Sequence, residues 1–162
     1  MQIPGTESRY KRSVDNILRA DFKISGFSGE FFEDIYQKGS QGSIFANTYY
    51  VGILDERKVT PESLDHARNS LESQISEHYP LREKIFHEHH VVIVGVTDNV
   101  SSDTRSYIKE NDSDMYEFGT NDHPTEIIVV DVSAGTVIMK NDRCRKSYID
   151  ELNEEYLQKP LR

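Results

Sequence analysis

Apolar residues along the chain fall into runs of two kinds. Tyr49-Tyr-Val-Gly-Ile-Leu-Asp55 and Val91-Val-Ile-Val-Gly-Val-Thr-Asp98 are short, mostly apolar and rich in β-branched or aromatic residues, and each closes on an Asp. Runs like these suit strands covered on both faces, as in a parallel sheet. Between them Leu64, Ala67, Leu71 and Ile75 recur at helical spacing across Pro61 to His78. Thr60 stands at the cap, Pro61 at the first helical position where Pro is tolerated, and Pro80 just beyond the end. That segment is long enough for the crossover helix that joins two parallel strands. The pattern therefore predicts an α/β fold, a mixed central sheet with a βαβ crossover and helices on its faces.

The flanking pattern fills in the rest. Tyr10, Val14, Ile17 and Leu18 give a helical stripe over residues 7–20, with Thr6 or Ser8 as its cap. Gly26 to Gly39 reads as a short helix. Ser28 caps it, Glu30, Glu33 and Asp34 lie in its first turns, Lys38 lies near its end, and Gly39 stops it. Phe31 with Ile35 and Phe32 with Tyr36 would form its two apolar rows. Ser40 to Ser43 is a turn, and Ile44 to Asn47 a short strand, either paired in a hairpin with Tyr49–Asp55 or continuous with it. After the second long strand, Asn99 to Ser102 loops into a helix over Asp103 to Asn111. Asn111 to Pro124 is acidic and turn-rich, which suits a surface loop. Glu126 to Val132 reads as a further strand, turned by Ser133-Ala-Gly135 into an antiparallel hairpin with Thr136 to Met139. Ser147 and Asp150 have capping-box spacing ahead of a last helical face of Ile149, Leu152 and Tyr156.

Length and charge narrow the function classes. With 162 residues one domain is expected: residues 1–25 as an N-terminal helix, 26–132 as the core, and 133–162 as hairpin and C-terminal helix. A formal net charge of −9 disfavours a broad basic surface for nucleic acid, though not a local basic groove. The single cysteine, Cys144, has no internal disulfide partner, no signal peptide is recognisable, and no apolar run reaches membrane-spanning length. A cytoplasmic setting is the expectation.

Four constellations have the residue types for chemistry. Asp55-Glu56-Arg57-Lys58 ends the first long strand. A metal-dependent nuclease needs an acid and a Lys two apart on a strand edge, so that both project to one side, the acid holding Mg²⁺ and the Lys orienting water. Glu56 and Lys58 have that spacing. Asp55, Asp98 and Asp131 close three strands; on parallel neighbours they would converge and bind Mg²⁺, whereas local roles in turns are the simpler reading. His87-Glu-His-His90 puts His87 and His89 on one strand face with no third zinc ligand indicated, which favours a solvated start to the strand. Arg143, Arg145 and Lys146 form the densest basic cluster, a phosphate or partner contact beside Cys144. Lys11, Arg12 and Arg19 read as a solvated helix face.

The succession of elements also resembles the restriction-endonuclease-like superfamily. It is carried by Phe-Glu-Asp on a helix, the strand ending Asp-Glu-Arg-Lys-Val-Thr-Pro-Glu-Ser, the crossover, and Val-Val-Ile-Val-Gly-Val-Thr-Asp-Asn-Val-Ser-Ser-Asp-Thr-Arg before a short helix, over roughly residues 26–132. The resemblance implies a core of helix, strands, helix and strand, with Glu56 as the acid, Lys58 as the lysine and Glu33 as an accessory helix carboxylate. Asn47 stands where that superfamily carries an Asp, and a shifted register would put Ile53 and Asp55 at the acid and lysine positions. The superfamily includes inactive members used for binding or regulation. The expectation is therefore a non-catalytic or degraded nuclease-like module that binds a protein partner or itself, with no cofactor. The alternative is a Mg²⁺-dependent endonuclease using Glu56 and Lys58 with Glu33 or Asp55.

Overall fold

A computed structural model of the chain describes residues 6–27, 30–39, 46–55, 59–78, 87–110, 125–139 and 152–161, apart from the side chains at 46, 47, 76, 78, 87 and 88. The elements in order are α1 (Thr6–Asp21), β1 (Lys23–Ile24), β2 (Phe32–Gly39), β3 (Ala46–Leu54), α2 (Pro61–His78), β4 (His87–Thr97), α3 (Ser102–Glu110), β5 (Glu126–Asp131) and β6 (Thr136–Ile138). A π-helical turn (Asn153–Leu157) and a 3-10 turn (Lys159–Leu161) follow. The six strands form one open mixed sheet in chain order. β1 pairs with β2 and β2 with β3 antiparallel, β3, β4 and β5 pair parallel, and β6 returns antiparallel on β5.

The central unit follows directly from the apolar pattern. β3 and β4 pair in parallel from Ala46 opposite His87 to Ile53 opposite Val94, with α2 between them in sequence. Of the expected strand Ile44–Asn47, Ala46 and Asn47 are continuous with β3, and Ile44 and Phe45 lie outside the described residues. α2 begins on a reciprocal cap, in which Thr60 Oγ1 accepts the Ser63 N–H at 3.1 Å and Ser63 Oγ accepts the Thr60 N–H at 2.9 Å. α3 begins the same way, with Ser101 Oγ accepting the Thr104 N–H at 3.1 Å. Both crossovers, β3–α2–β4 and β4–α3–β5, bury their apolar residues in one core with Tyr50, Leu54 and Ile93. Two same-handed connections that add strands in one direction must lie on one face of the sheet. The other face is covered by α1 and the C-terminal turn, through Val14, Leu18, Leu152 and Leu157 against Val51, Val94 and Ile128. Tyr10 Oη donates to the Leu157 carbonyl at 2.9 Å, and Tyr156 Oη to Asp21 Oδ2 at 2.6 Å, so the last turn is tied to α1. Leu152 and Tyr156 are buried as their spacing predicted, while Ser147, Ile149 and Asp150 lie outside the described residues.

The segment Gly26–Gly39 departs from expectation. The predicted short helix is instead strand β2, antiparallel to β3 from Phe32 opposite Leu54 to Gly39 opposite Thr48. The register shifts between Phe32 and Asp34, a bulge that inserts one extra residue. Phe32 and Ile35, three apart, therefore reach the same core beneath α2, while Tyr36 enters the core beneath α1. A bulged strand buried on both faces produces the i, i+3 and i, i+4 apolar spacings that otherwise signal a helix.

Two glycines make the packing possible. The Phe32 ring lies over Gly52, where a Cβ would come within 2.5 Å of Cε1, and Val59 lies over Gly95 with a Cβ-to-Cγ1 approach of 2.9 Å. Gly52→Ala is expected to destabilise the protein by about 1–3 kcal/mol through overpacking. The readout is a lower urea midpoint at unchanged slope. Adding Phe32→Leu is expected to return part of that loss, because the shorter side chain withdraws from position 52; unchanged stability of the single variant would refute the contact.

Candidate functional site

The end of β3 is where the sequence concentrates charge, and the fold brings the beginning of β2 beside it. Asp34 pairs with Ile53, and the Asp55 N–H donates to the Phe31 carbonyl at 2.9 Å. Glu33, expected on a helix, therefore sits on a strand next to the β3 terminus. Its carboxylate meets Lys11 of α1, Nζ to Oε1 3.7 Å, and the Lys11 side chain is only 10% exposed. Lys11, expected to be solvated, is thus committed to an ion pair. Asn47 is corrected as well. It lies within β3 itself, opposite Glu88 of β4 and at the far end from Asp55, so it cannot be the acid position of a neighbouring strand. The acids on the strand beside the end of β3 are Glu33 and Asp34. Glu56, Arg57 and Lys58 lie outside the described residues, as do Arg143, Cys144, Arg145 and Lys146.

The three strand-closing acids do share one end of the sheet, since β3, β4 and β5 are parallel neighbours. Asp55 is exposed, Asp98 half-buried and Asp131 buried. Asp131 Oδ1 accepts the Ser133 and Ala134 N–H groups at 3.0 and 3.1 Å and the Ser133 hydroxyl at 2.8 Å. Its Oδ2 lies 4.0 Å from Arg105 Nη2. The carboxylate thereby organises the turn between β5 and β6. Ser133 Oγ also lies 2.7 Å from the Asp98 carbonyl, so its one O–H is shared between that oxygen and Asp131 Oδ1, linking the turn to the end of β4. Among the described residues no three His, Cys, Asp or Glu side chains are grouped so as to hold a metal ion.

Of the histidines at the start of β4, His89 and His90 are not solvated, and the His87 side chain lies outside the described residues. His89 and His90 are 4% and 8% exposed. The His90 ring stacks on Tyr49 at 4.8 Å and 18°, and His89 lies against Tyr50 at 6.0 Å and 28°. Pairing of Tyr49 with His90 across the parallel ladder puts those two rings on one face. The strand begins earlier than its apolar run suggested, and aromatic stacking covers His89 and His90.

Sequence reasoning also missed a set of hydroxyl-to-carboxylate bonds joining the layers. Tyr36 of β2 donates to Asp15 of α1, which also accepts Arg19 Nε at 2.8 and 3.0 Å. Tyr107 of α3 donates to Asp65 of α2, which accepts Arg68 Nη2 at 2.8 Å. Thr125 donates to Glu72 of α2 at 2.5 Å. Only the within-helix halves, Asp15 with Arg19 and Asp65 with Arg68, carry a sequence signal, their i, i+4 and i, i+3 spacing. Burial, followed by the bond to a carboxylate, pushes the Tyr36 and Tyr107 phenols well above their ordinary range. The negative charge of Asp34 acts on both Tyr36 and Arg19, so α1 and the start of β2 form one electrostatic unit.

Comparison with protein-family models, with curated proteins and with solved structures returns no match. Among the described residues no helix is long and apolar enough to cross a membrane.

Asp15 generates a pH prediction. Burial raises its carboxyl, but the Tyr36 and Arg19 hydrogen bonds and the Arg19 charge outweigh that and hold it below its ordinary value of 3.8. A depressed folded-state value stabilises the fold above the unfolded value, and that stability is lost as pH falls through the folded value. The stability gap between wild type and Asp15→Asn is therefore expected to be constant from neutral pH down to about 5 and to narrow below about pH 4. Urea midpoints across that range measure it; a gap that widens on acidification would refute the assignment.

Proposed function

We propose that the chain is a nuclease-like α/β module that acts through binding, to a protein partner or to itself, and not by cutting nucleic acid. One observation carries this reading. Glu33, the described member of the Glu56, Lys58 and Glu33 set, is already ion-paired with a largely buried lysine, so a cation there would compete with the Lys11 ammonium. The described carboxylates at the neighbouring strand ends support the same reading, since Asp131 is committed to its turn. The helix that the restriction-endonuclease-like resemblance expects at Gly26–Gly39 is strand β2 instead, and the part of the expected order that supports the reading is the β3–α2–β4 crossover. A cytoplasmic setting fits the lone Cys144.

A second reading, a Mg²⁺-dependent endonuclease, is favoured by a different observation. Asp34 lies opposite Ile53, so an acid does stand on the strand beside the end of β3, where Asn47 had been expected to leave a gap. In that reading Asp34 and Asp55 or Glu56 would hold the metal, and Lys58 would orient water.

Incubation with supercoiled plasmid and Mg²⁺ or Mn²⁺ separates the two. The binding reading expects intact plasmid from wild type, indistinguishable from Glu56→Ala, Lys58→Ala and Asp34→Asn, and no heat on titrating Mg²⁺ into the protein. Nicking by wild type that all three substitutions abolish would select the nuclease.

A further inference from the structure

At the end of the sheet away from Asp55, the edge strand β1 stops short of its neighbour. β1 pairs only Lys23 with Gln37 and Ile24 with Tyr36, whereas β2 runs on through Lys38 and Gly39. One bond fixes the backbone directions there: the Ser25 N–H donates to the Ile35 carbonyl at 2.7 Å. In an antiparallel ladder the N–H and C=O of one residue point the same way, and the direction alternates along the strand. Ile35, Gln37 and Gly39 therefore present theirs toward β1. Lys23 and Ser25 face inward to meet them, and the N–H and C=O of Ile24 face outward from the sheet.

The ground around that outward-facing residue is distinctive. A cavity of about 330 Å³ opens beside it, lined by Asp21, Lys23, Ile24, Gln37, Lys38 and Gly39. The Ile24 side chain is 44% exposed and is the exposed large hydrophobic among the described residues. Lys23 flanks it on the strand, and Lys38 lies with Nζ 5.7 Å from the Phe22 ring centroid. Asp21, the acid at this place, accepts the Tyr156 hydroxyl. Two lysines beside an exposed apolar side chain make a local positive site on a chain of net charge −9.

We propose that this edge takes an extended segment of a partner protein, added as a strand along β1. Its backbone exchanges hydrogen bonds with Ile24, an apolar side chain packs against Ile24, and the next side chain, a carboxylate on the opposite face, meets Lys23. Strand addition of this kind draws affinity from main-chain bonds and specificity from alternate side chains. A second copy of the chain is the poorer occupant, because two bodies of net charge −9 repel, whereas a short segment brings only its own few carboxylates up to Lys23. The surface is separate from the end of β3, so it stands or fails independently of the nuclease question.

The test is an NMR titration of the ¹⁵N-labelled full chain with an acetylated hexapeptide of alternating Val and Asp, beside one of alternating Val and Lys. Shifts are expected at the amides of Ile24, Ser25 and Gly39, with the Val/Lys peptide at least about tenfold weaker. Ile24→Pro removes the outward N–H together with the exposed apolar side chain, at a position where an edge strand tolerates Pro, and is expected to abolish the response. Lys23→Glu, a surface change that spares the backbone, is expected to weaken it about tenfold. Absence of shifts at those amides, equal response to the two peptides, or a concentration-dependent dimer mapping to Ile24 would each overturn the proposal.

Discussion

Burial of β4 on both faces is the constraint from which the remaining architecture follows. Every residue from His89 to Thr97 is buried, and the strand has a parallel partner on each side. A parallel strand cannot be joined to its neighbour by a tight turn, so each side requires a crossover, and α2 and α3 are those crossovers. Full burial of a Val or Ile side chain contributes about 1.5–3 kcal/mol, an upper figure given that the unfolded chain already hides some surface. Val91, Val92, Ile93, Val94 and Val96 together outweigh any ion pair on this molecule, since exposed pairs contribute about 0–1 kcal/mol each. With one face of the sheet taken by α2 and α3, the other must be covered by segments outside the crossovers. α1 and the C-terminal turn do this, from opposite ends of the chain.

Apolar faces are not directional, and the polar bonds between layers supply direction. Asp15, Asp21, Asp65 and Glu72 each accept a hydroxyl from another element: Tyr36, Tyr156, Tyr107 and Thr125. A hydrogen bond to a charged group contributes about 1.5–3 kcal/mol net, comparable to one buried side chain. Such bonds do not hold the layers together by themselves. They do penalise the sliding of a helix along the sheet, because a slipped helix leaves a carboxylate and a phenol without each other.

The same economy of contacts shapes the candidate site. α1 packs across the sheet where β2 and β3 bring their acids together, and Lys11, Asp15 and Arg19 face that ground. Of the acids there, Glu33 is ion-paired with Lys11, and Asp15 of α1 with Arg19. The outward-facing edge at Ile24 lies elsewhere on the same sheet, away from that cluster.

Local patterning alone determined α1, α2, α3, the β3–α2–β4 unit and the β5–β6 hairpin, because in each the apolar period and the flanking Ser, Thr, Pro or Gly point to one conformation. It did not determine β2. Phe32, Ile35 and Tyr36 have the spacing of a helix, and only pairing with β3 forms the bulge that makes the same spacing compatible with a strand. The stacking of His89 and His90 on Tyr49 and Tyr50, and the meeting of Lys11 with Glu33, were equally unreadable, since each joins residues from different elements. Strand register and layer order decide such contacts, and both are settled by which apolar faces can be buried together, a property of the assembled sheet and of no single segment.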